Sequence, residues 1–189
     1  MIADLNTVRQ LLQITSTSTD ALIAELLPVV QRQIVDYCNN RFLNWRVWLT
    51  SSDFVFANAS PATITDPNSG FVDAHFHDDM DIFVTGSYNN DGFYEVNTVT
   101  AGTLTLKSSE TLIAEDEDNA VTIYKVDWPQ SLKMTFAKMV NYNIQKDALT
   151  GIESQRLGDY SVQYTNVGGA DYPSGIVNGL KPFKKLKWR

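Results

Sequence analysis

The chain has 189 residues, of which 43% are hydrophobic, 11% aromatic and 20% charged, a length that predicts one domain with room for a small appendage. This composition excludes wholesale disorder, and no apolar run approaches the roughly 18 residues that a membrane-spanning helix needs. The first residues carry no basic region before an apolar one, so we expect neither a signal peptide nor an association with a membrane. The single cysteine, Cys38, has no partner for an internal disulfide.

The net charge of −7 is distributed unevenly along the chain. Residues 1–48 and 129–180 are each balanced, with four acids and four bases apiece. Residues 49–128 contain fourteen acids and two bases, whereas residues 181–189 contain five bases and no acid. Such segregation indicates that these parts of the chain have different roles.

The first 48 residues show helical periodicity. Apolar residues recur every three or four positions from Ile2 to Leu12, and Asp4 is placed to cap this first helix. A second apolar stripe runs from Leu22 to Cys38, where Asn39 and Asn40 end it. Pro28 lies inside the second stripe and predicts a kink or a split, because proline removes a backbone donor.

Between about residues 49 and 127 the period changes from that of a helix to that of a strand. Short runs rich in β-branched and aromatic residues alternate with turn signals, as in a small barrel or sandwich. The runs are 54–56, 82–84, 94–96, 103–106 and 121–124. Asn90-Asp91-Gly92 is suited to a hairpin tip, because these residue types tolerate positive φ.

The helical period returns after Trp128-Pro129, with an apolar stripe from Leu132 to Ile144 and then a short alternating strand at 160–164. The sequence therefore predicts an α+β fold. A small helical bundle (1–48 and 128–165) is interrupted by an inserted antiparallel β-barrel or sandwich (49–127). An extended C-terminal arm (166–189) follows, with Gly168-Gly169 as a hinge.

Catalytic and metal-binding patterns are weak in this sequence. In a strand, His75 and His77 would point to the same side as Asp79 and Asp81, an arrangement suited to zinc. These are the only two histidines, and we favour an exposed acidic loop over a metal site. Cys38 lies on an apolar helical stripe, where a buried, unreactive thiol is the usual interpretation. No nucleophile elbow or phosphate-binding glycine loop is present. We therefore expect no enzyme, no metal site and no cofactor.

The C-terminal end is the most unusual part of the chain. Its five bases alternate with apolar residues, a pattern typical of an arm that docks on an acidic, partly apolar groove. Contact with nucleic acid and a solvated terminus are the two alternatives. The residues assigned to this arm are Lys181, Phe183, Lys184, Lys185, Leu186, Lys187, Trp188 and Arg189.

Several segments resemble, in their order along the chain, the head–tail connector (adaptor) proteins of tailed bacteriophages. The N-terminal segments are 4–12, 20–23 and 37–42, and the later ones are Ile152–Val162, Tyr172-Pro173 and Leu180–Leu186. Segments 81–87, 90–96 and 101–106 are similar to a small β module of phage virion proteins. The acidic insertion at 49–127 sets this chain apart from the shortest members of the family.

The resemblance implies a structural virion protein of the neck, assembled from the host cytoplasm and not an enzyme. Such proteins form a ring, commonly of twelve copies, that joins the portal to the tail and extends the DNA channel. Their C-terminal arms bind the portal, and their other side receives the stopper or tail completion protein. Genomic DNA passes without sequence-specific binding.

An alternative from another class is a DNA-binding or packaging accessory protein that uses the basic C-terminal tail. The acidic body of the chain argues against it, because sequence-independent DNA affinity needs a broad basic face.

Overall fold

A computed structural model describes residues 1–116, 119–148, 154–157, 160–163 and 172–186. These residues form an α+β structure, as predicted, with four α-helices, one 3-10 helix, an eight-stranded antiparallel sheet and a two-stranded hairpin. The chain divides into two compact units. We call Met1 with Arg41–Trp128 the β unit, and Ile2–Asn40 with Pro129–Arg189 the helical unit.

The helical unit is built on three longer helices, α1 (Leu5–Leu12), α2 (Asp20–Cys38) and α3 (Leu132–Ala148). It also contains α4 (Ser174–Val177), which continues into a 3-10 helix (Asn178–Phe183). Strands β9 (Ser154–Leu157) and β10 (Tyr160–Gln163) form an antiparallel hairpin. The three longer helices pack on one another through buried apolar side chains, among them Val8, Ile23, Val30, Ile34, Phe136 and Val140.

The ends of α1 and α2 are those expected from their residue types. The Asp4 carboxylate accepts a 2.8 Å hydrogen bond from the backbone N–H of Thr7, so Asp4 is the N-cap of α1. Asn39 follows α2 with φ of 48°, a left-handed conformation that asparagine tolerates and that ends a helix. α2 is continuous through Pro28, so the predicted split is wrong. Pro28 is exposed, while the stripe on both sides of it is buried and outweighs one lost backbone hydrogen bond.

The β unit contains one antiparallel sheet of eight strands. Its strands are β1 (Leu43–Ser51), β2 (Val55–Ala57), β3 (Thr63–Thr65), β4 (Asp81–Thr85), β5 (Gly92–Val99), β6 (Thr103–Leu106), β7 (Glu115–Asp116) and β8 (Val121–Val126). Their order across the sheet is β1-β8-β4-β5-β6-β3-β2-β7. Each of the five strand runs predicted from the sequence overlaps one of these strands.

The sheet is open, so the predicted barrel is not supported. In the described part of the chain, β1 and β7 each pair with a single neighbour and form the two edges. β5 joins the two halves of the sheet, since residues 92–95 pair with β4 and residues 96–99 pair with β6. Both halves contribute to one apolar core, which includes Phe56, Ile64, Ile82, Leu104 and Ile123.

β1 begins at Leu43, inside the segment that the sequence analysis assigned to the helical part. Its alternation is hidden in the sequence because the register with β8 shifts between Asn44 and Trp48, which leaves residues 45–47 as a bulge. None of the helices in the described residues is long and apolar enough to span a bilayer.

Candidate functional site

The basic C-terminal segment is the candidate site, and Tyr172–Leu186 is the part of it that the structure describes. Within the helical unit, α4 packs on α3, and the 3-10 helix packs on both α2 and α3. Leu180 is buried with 2% of its surface exposed. Pro182 fixes one backbone angle within the 3-10 helix, which reduces the conformational freedom that docking removes.

Tyr172 attaches the beginning of this segment to the helical unit. Its hydroxyl accepts a 2.7 Å hydrogen bond from the side-chain amide of Asn143 and donates one to the side-chain carbonyl of Gln33. Its ring lies 5.6 Å from the ring of Tyr142, between centroids. Tyr172 thus bridges α2 and α3 while 94% of its own surface is buried.

The end of the segment attaches to the C-terminus of α2. The backbone N–H of Lys185 donates a 2.8 Å hydrogen bond to the carbonyl oxygen of Cys38. The side-chain amide of Asn40 donates a 3.1 Å bond to the carbonyl oxygen of Phe183. The Lys184 ammonium lies 4.5 Å from the centre of the Tyr37 ring. Cations at the C-terminus of a helix are favourable, because unsatisfied carbonyls make that end negative.

The predicted arm residues differ in exposure. Lys181, Lys184 and Lys185 are exposed, and 79% of the Leu186 surface is accessible. Phe183 is half-buried, so part of its apolar surface is covered by its own chain and is not accessible to a partner. An open groove is lined by Asp36, Tyr37, Asn39, Lys184, Lys185 and Leu186. Lys187, Trp188 and Arg189 lie outside the described residues, as does the Gly168-Gly169 hinge.

His75 and His77 do not lie on a strand, so the alternation invoked for a zinc site is wrong. Residues 71–75 form turns, and His75 has φ of 66°, which no strand allows. Both imidazoles are exposed, and Nδ1 of His77 is 2.8 Å from the carbonyl oxygen of Asp78. Among the described residues, no group of three or more histidine, cysteine or acidic side chains is arranged to hold a metal ion.

Cys38 is fully buried, as predicted from its place on the stripe of α2. Burial raises the pKa of its thiol, although the nearby Lys184 ammonium acts in the opposite direction. Its Sγ lies 3.8 Å from the carbonyl oxygen of Leu180. A protonated, enclosed thiol is a poor nucleophile, which gives Cys38 a packing role under the C-terminal segment.

A group of charges beside strands β4 and β5 was not predicted from the sequence. Asp81 and Glu95 are paired across these strands, and the Met1 amino group contacts both carboxylates, at 2.9 Å from Glu95. Burial raises the pKa of Asp81. For Glu95 the effect of burial is outweighed, since the Met1 and Lys107 ammonium groups lower its pKa. Strand register was the missing information, because these residues are 14 positions apart in the chain.

An exposed aromatic surface was also missed. Trp45, Arg46, Trp48 and Tyr124, which we call the β1 patch, lie on β1 and β8 of the β unit. Local sequence patterns predicted no role for these two tryptophans. The available signal was the pair of tryptophans three positions apart, just after the end of the second apolar stripe.

Comparison with known proteins relates part of this chain to one family. Residues 2–69 match the family model described as phage gp6-like head-tail connector protein. The matched stretch contains α1, α2 and the first three strands, so it extends from the helical unit into the β unit. It confirms the resemblance to head–tail connector proteins over the N-terminal part of the chain. No curated protein matches the chain significantly.

Proposed function

We propose that this protein is a structural component of a tailed-phage virion that joins the portal to the tail as a ring of connector subunits. The observation that carries the proposal is the match of residues 2–69 to the head–tail connector family. The remainder of the resemblance supports the same assignment, since the segments after α3 and at the C-terminus follow in the family's order. A copy number of twelve is expected from the resemblance.

The C-terminal segment is the part of the chain that we assign to portal binding. Three exposed lysines and the largely exposed Leu186 lie in 181–186, next to the groove at the end of α2. Basic side chains orient a segment toward an acidic partner, and an adjacent apolar side chain supplies the contact that excludes water. Docking of Tyr172–Lys185 on the helical unit lowers the ordering cost of binding, because this stretch is already held.

The acidic β unit suits a protein beside a DNA path. Arg41–Trp128 contains fourteen acidic and four basic residues, so its surface potential repels phosphate. The proposed ring extends the DNA channel without sequence-specific contact and receives the stopper or tail completion protein on its other side. The protein reaches the virion neck from the host cytoplasm during assembly, and the role involves no catalysis and no cofactor.

Truncation after Leu180 tests the portal assignment. The shortened protein is expected to stay folded, because Tyr172, Leu180 and the packing of α1, α2 and α3 are retained. It is expected to lose portal binding in a pull-down with purified portal rings. Trp188→Ala is expected to weaken binding more than Lys187→Ala. The control is Lys138→Gln, which removes an exposed charge on α3.

Each outcome of that experiment has a separate meaning. Unchanged portal affinity of the truncated protein would remove the C-terminal segment from the interface. Loss of DNA binding with intact portal binding would instead favour the DNA-binding accessory protein, and a salt titration of DNA affinity would then measure the number of phosphate contacts. A single copy bound per portal ring would contradict the connector ring itself.

A further inference from the structure

Exposed large hydrophobic side chains of the β unit lie on or near both edge strands of the open sheet. Among the described residues of this unit, five large hydrophobic side chains have between 49% and 68% of their surface exposed. Trp45 (65%) and Trp48 (49%) are on β1 at one edge. Ile113 (56%) precedes β7 at the other edge, and Val72 (51%) is in a turn. Tyr88 (68%) is in the connection between β4 and β5, next to Asn89, whose side-chain amide donates a 2.8 Å hydrogen bond to the Glu115 carboxylate of β7.

The β1 patch is preorganised by contacts among its own rings. The Trp45 ring lies 5.3 Å from the Tyr124 ring in an edge-on arrangement, and the Trp48 ring lies 6.4 Å from the Tyr124 ring, between centroids. The bulge at 45–47 separates Trp45 from the regular register. Rigid aromatic side chains held in place lose little entropy when a partner covers them.

The β1 patch is also the basic part of an acidic unit. The other three bases of Arg41–Trp128 are engaged: Lys107 pairs with Glu95 at 3.2 Å, Lys125 with Asp127 at 3.0 Å, and Arg41 lies over the Phe83 ring. Arg46 is exposed, and no carboxylate in the described part of the chain forms an ion pair with it.

The opposite edge has the complementary charge. β7 consists of Glu115 and Asp116, and the sequence continues with Glu117 and Asp118. The buried side chain of Asn90 holds this edge in place. It donates a 2.9 Å hydrogen bond to the Ile113 carbonyl oxygen, accepts a 2.8 Å bond from the Ile113 N–H, and contacts the Glu115 carboxylate. We call Tyr88, Ile113, Glu115 and Asp116 the β7 edge.

We propose that the β1 patch of one copy docks on the β7 edge of a second copy of this chain. Each surface combines exposed apolar side chains with one sign of charge, and the two signs are opposite. The two surfaces are different, so a contact between them that is not made reciprocally about a two-fold axis is head-to-tail and leaves one surface of each copy free for a further copy. Head-to-tail contacts form a closed ring when the rotation between copies closes, and an open filament otherwise. The inference takes the closed form, so it specifies the subunit interface of the proposed connector ring and rests on that function.

The test is a charge-swap experiment on the full chain. Self-association is measured by sedimentation velocity at about 0.15 M salt, where repulsion beyond roughly 8 Å is screened. In parallel, native mass spectrometry counts the copies bound per portal ring. The variants are Arg46→Glu, Asp116→Arg, their combination, and Trp48→Ala, with Val72→Ala as a control for loss of an exposed apolar side chain on the same unit.

Each single charge reversal is expected to weaken self-association about fivefold to tenfold, because it places like charges against each other. The combined variant is expected to recover most of that loss, since the pair is restored with its signs exchanged. Trp48→Ala is expected to weaken association about tenfold or more, as for a central aromatic contact. Val72→Ala is expected to change nothing. Circular dichroism confirms that each variant is folded.

The outcomes separate this inference from the proposed function. If the variants of the β1 patch and the β7 edge bind the portal in as many copies as the wild type does, the inference is overturned and the proposed function stands. Edge-dependent self-association without portal binding supports the inference and overturns the proposed function. Wild-type protein that stays monomeric alone and binds the portal as one copy overturns both. Variants that assemble normally but fail to bind a tail protein assign the β1 patch to that partner and overturn the inference.

Discussion

The backbone N–H of Lys185 donates a 2.8 Å hydrogen bond to the carbonyl oxygen of Cys38, the last residue of α2. The bond satisfies one of the carbonyls that a helix leaves unpaired at its C-terminus. It also places Lys184 and Lys185 where the helix dipole is negative, so the position of these basic side chains is determined by α2.

Replacing Lys184 and Lys185 together with glutamate should weaken portal binding at least tenfold, because the changes reverse the charge of the proposed contact. The effect should shrink at about 0.5 M salt, where charges are screened within a few ångströms. Biolayer interferometry with immobilised portal measures both values. Lys133→Glu/Lys138→Glu on α3 makes the same change in net charge. An equal loss with that control would mean that net charge, and not the C-terminal segment, governs binding.

Tyr172→Phe should lower the free energy of unfolding by about 1–3 kcal/mol, since it removes one hydroxyl that bonds to both Gln33 and Asn143 in a buried place. The ring contact with Tyr142 is retained. Urea denaturation measures the change. Tyr88→Phe serves as the matched control, because 68% of Tyr88 is exposed and its hydroxyl can bond to water. Equal stability of the two variants would contradict the anchoring role of Tyr172.

Asn90→Ala should lower the free energy of unfolding by about 1–3 kcal/mol, because it leaves the N–H and the carbonyl of Ile113 without their side-chain partner. Asn97→Ala, at an exposed position on β5, should have little effect. Hydrogen exchange of the Ile113 amide is the local readout and should accelerate only in the Asn90 variant. Unchanged protection of that amide would show that Asn90 does not hold the β7 edge.

Tyr94 should destabilise the folded protein at alkaline pH. Burial, with the carboxylates of Glu110, Asp91 and Glu115, raises its pKa to about 12. A tyrosine ordinarily ionises near pH 10, so between about pH 10 and 12 the unfolded chain releases this proton first and stability falls as the pH rises.

Tyr94→Phe should remove the loss of stability that is due to Tyr94 ionisation. The free energy of unfolding should therefore decrease less between pH 9 and pH 11 in the variant than in the wild type. Ultraviolet titration should show that the variant lacks the latest-ionising phenol. A titration of Tyr94 near pH 10 would contradict the proposed effect of burial.

Local patterns predicted the helices and the central strands, because each of these elements buries a periodic apolar face. The stripe from Leu22 to Cys38 and the cap at Asp4 are examples in which the residues that define the element are close in sequence. Local patterns did not predict that α2 continues through Pro28, because tertiary packing of the helix overrides the local cost of a proline. The prediction that His75 would lie on a strand if it bound a metal failed because His75 has a left-handed φ in a turn, and the residue types around it do not indicate that conformation.

The open sheet and the position of the C-terminal segment depend on contacts between residues far apart in the chain. β1 pairs with β8 about 75 residues later, and no local pattern distinguishes that pairing from barrel closure. The alternation of bases and apolar residues at 181–189 indicates a docking segment, but it does not say whether the apolar side chains pack on their own chain. The half-buried Phe183 shows that one of them does.

The place of the β unit between α2 and α3 has a consequence for synthesis. α2 ends at Cys38 and α3, on which it packs, begins at Leu132, so the ribosome adds roughly 90 residues between them. At about 5–20 residues per second this takes about 5–20 s. During that interval the apolar stripe of α2 is translated but its partner is not, while all strands from Leu43 to Val126 are completed in one continuous stretch. Until α3 has been synthesised, α1 is the only one of the two longer helices packed on α2, among the described residues, that can cover its apolar stripe.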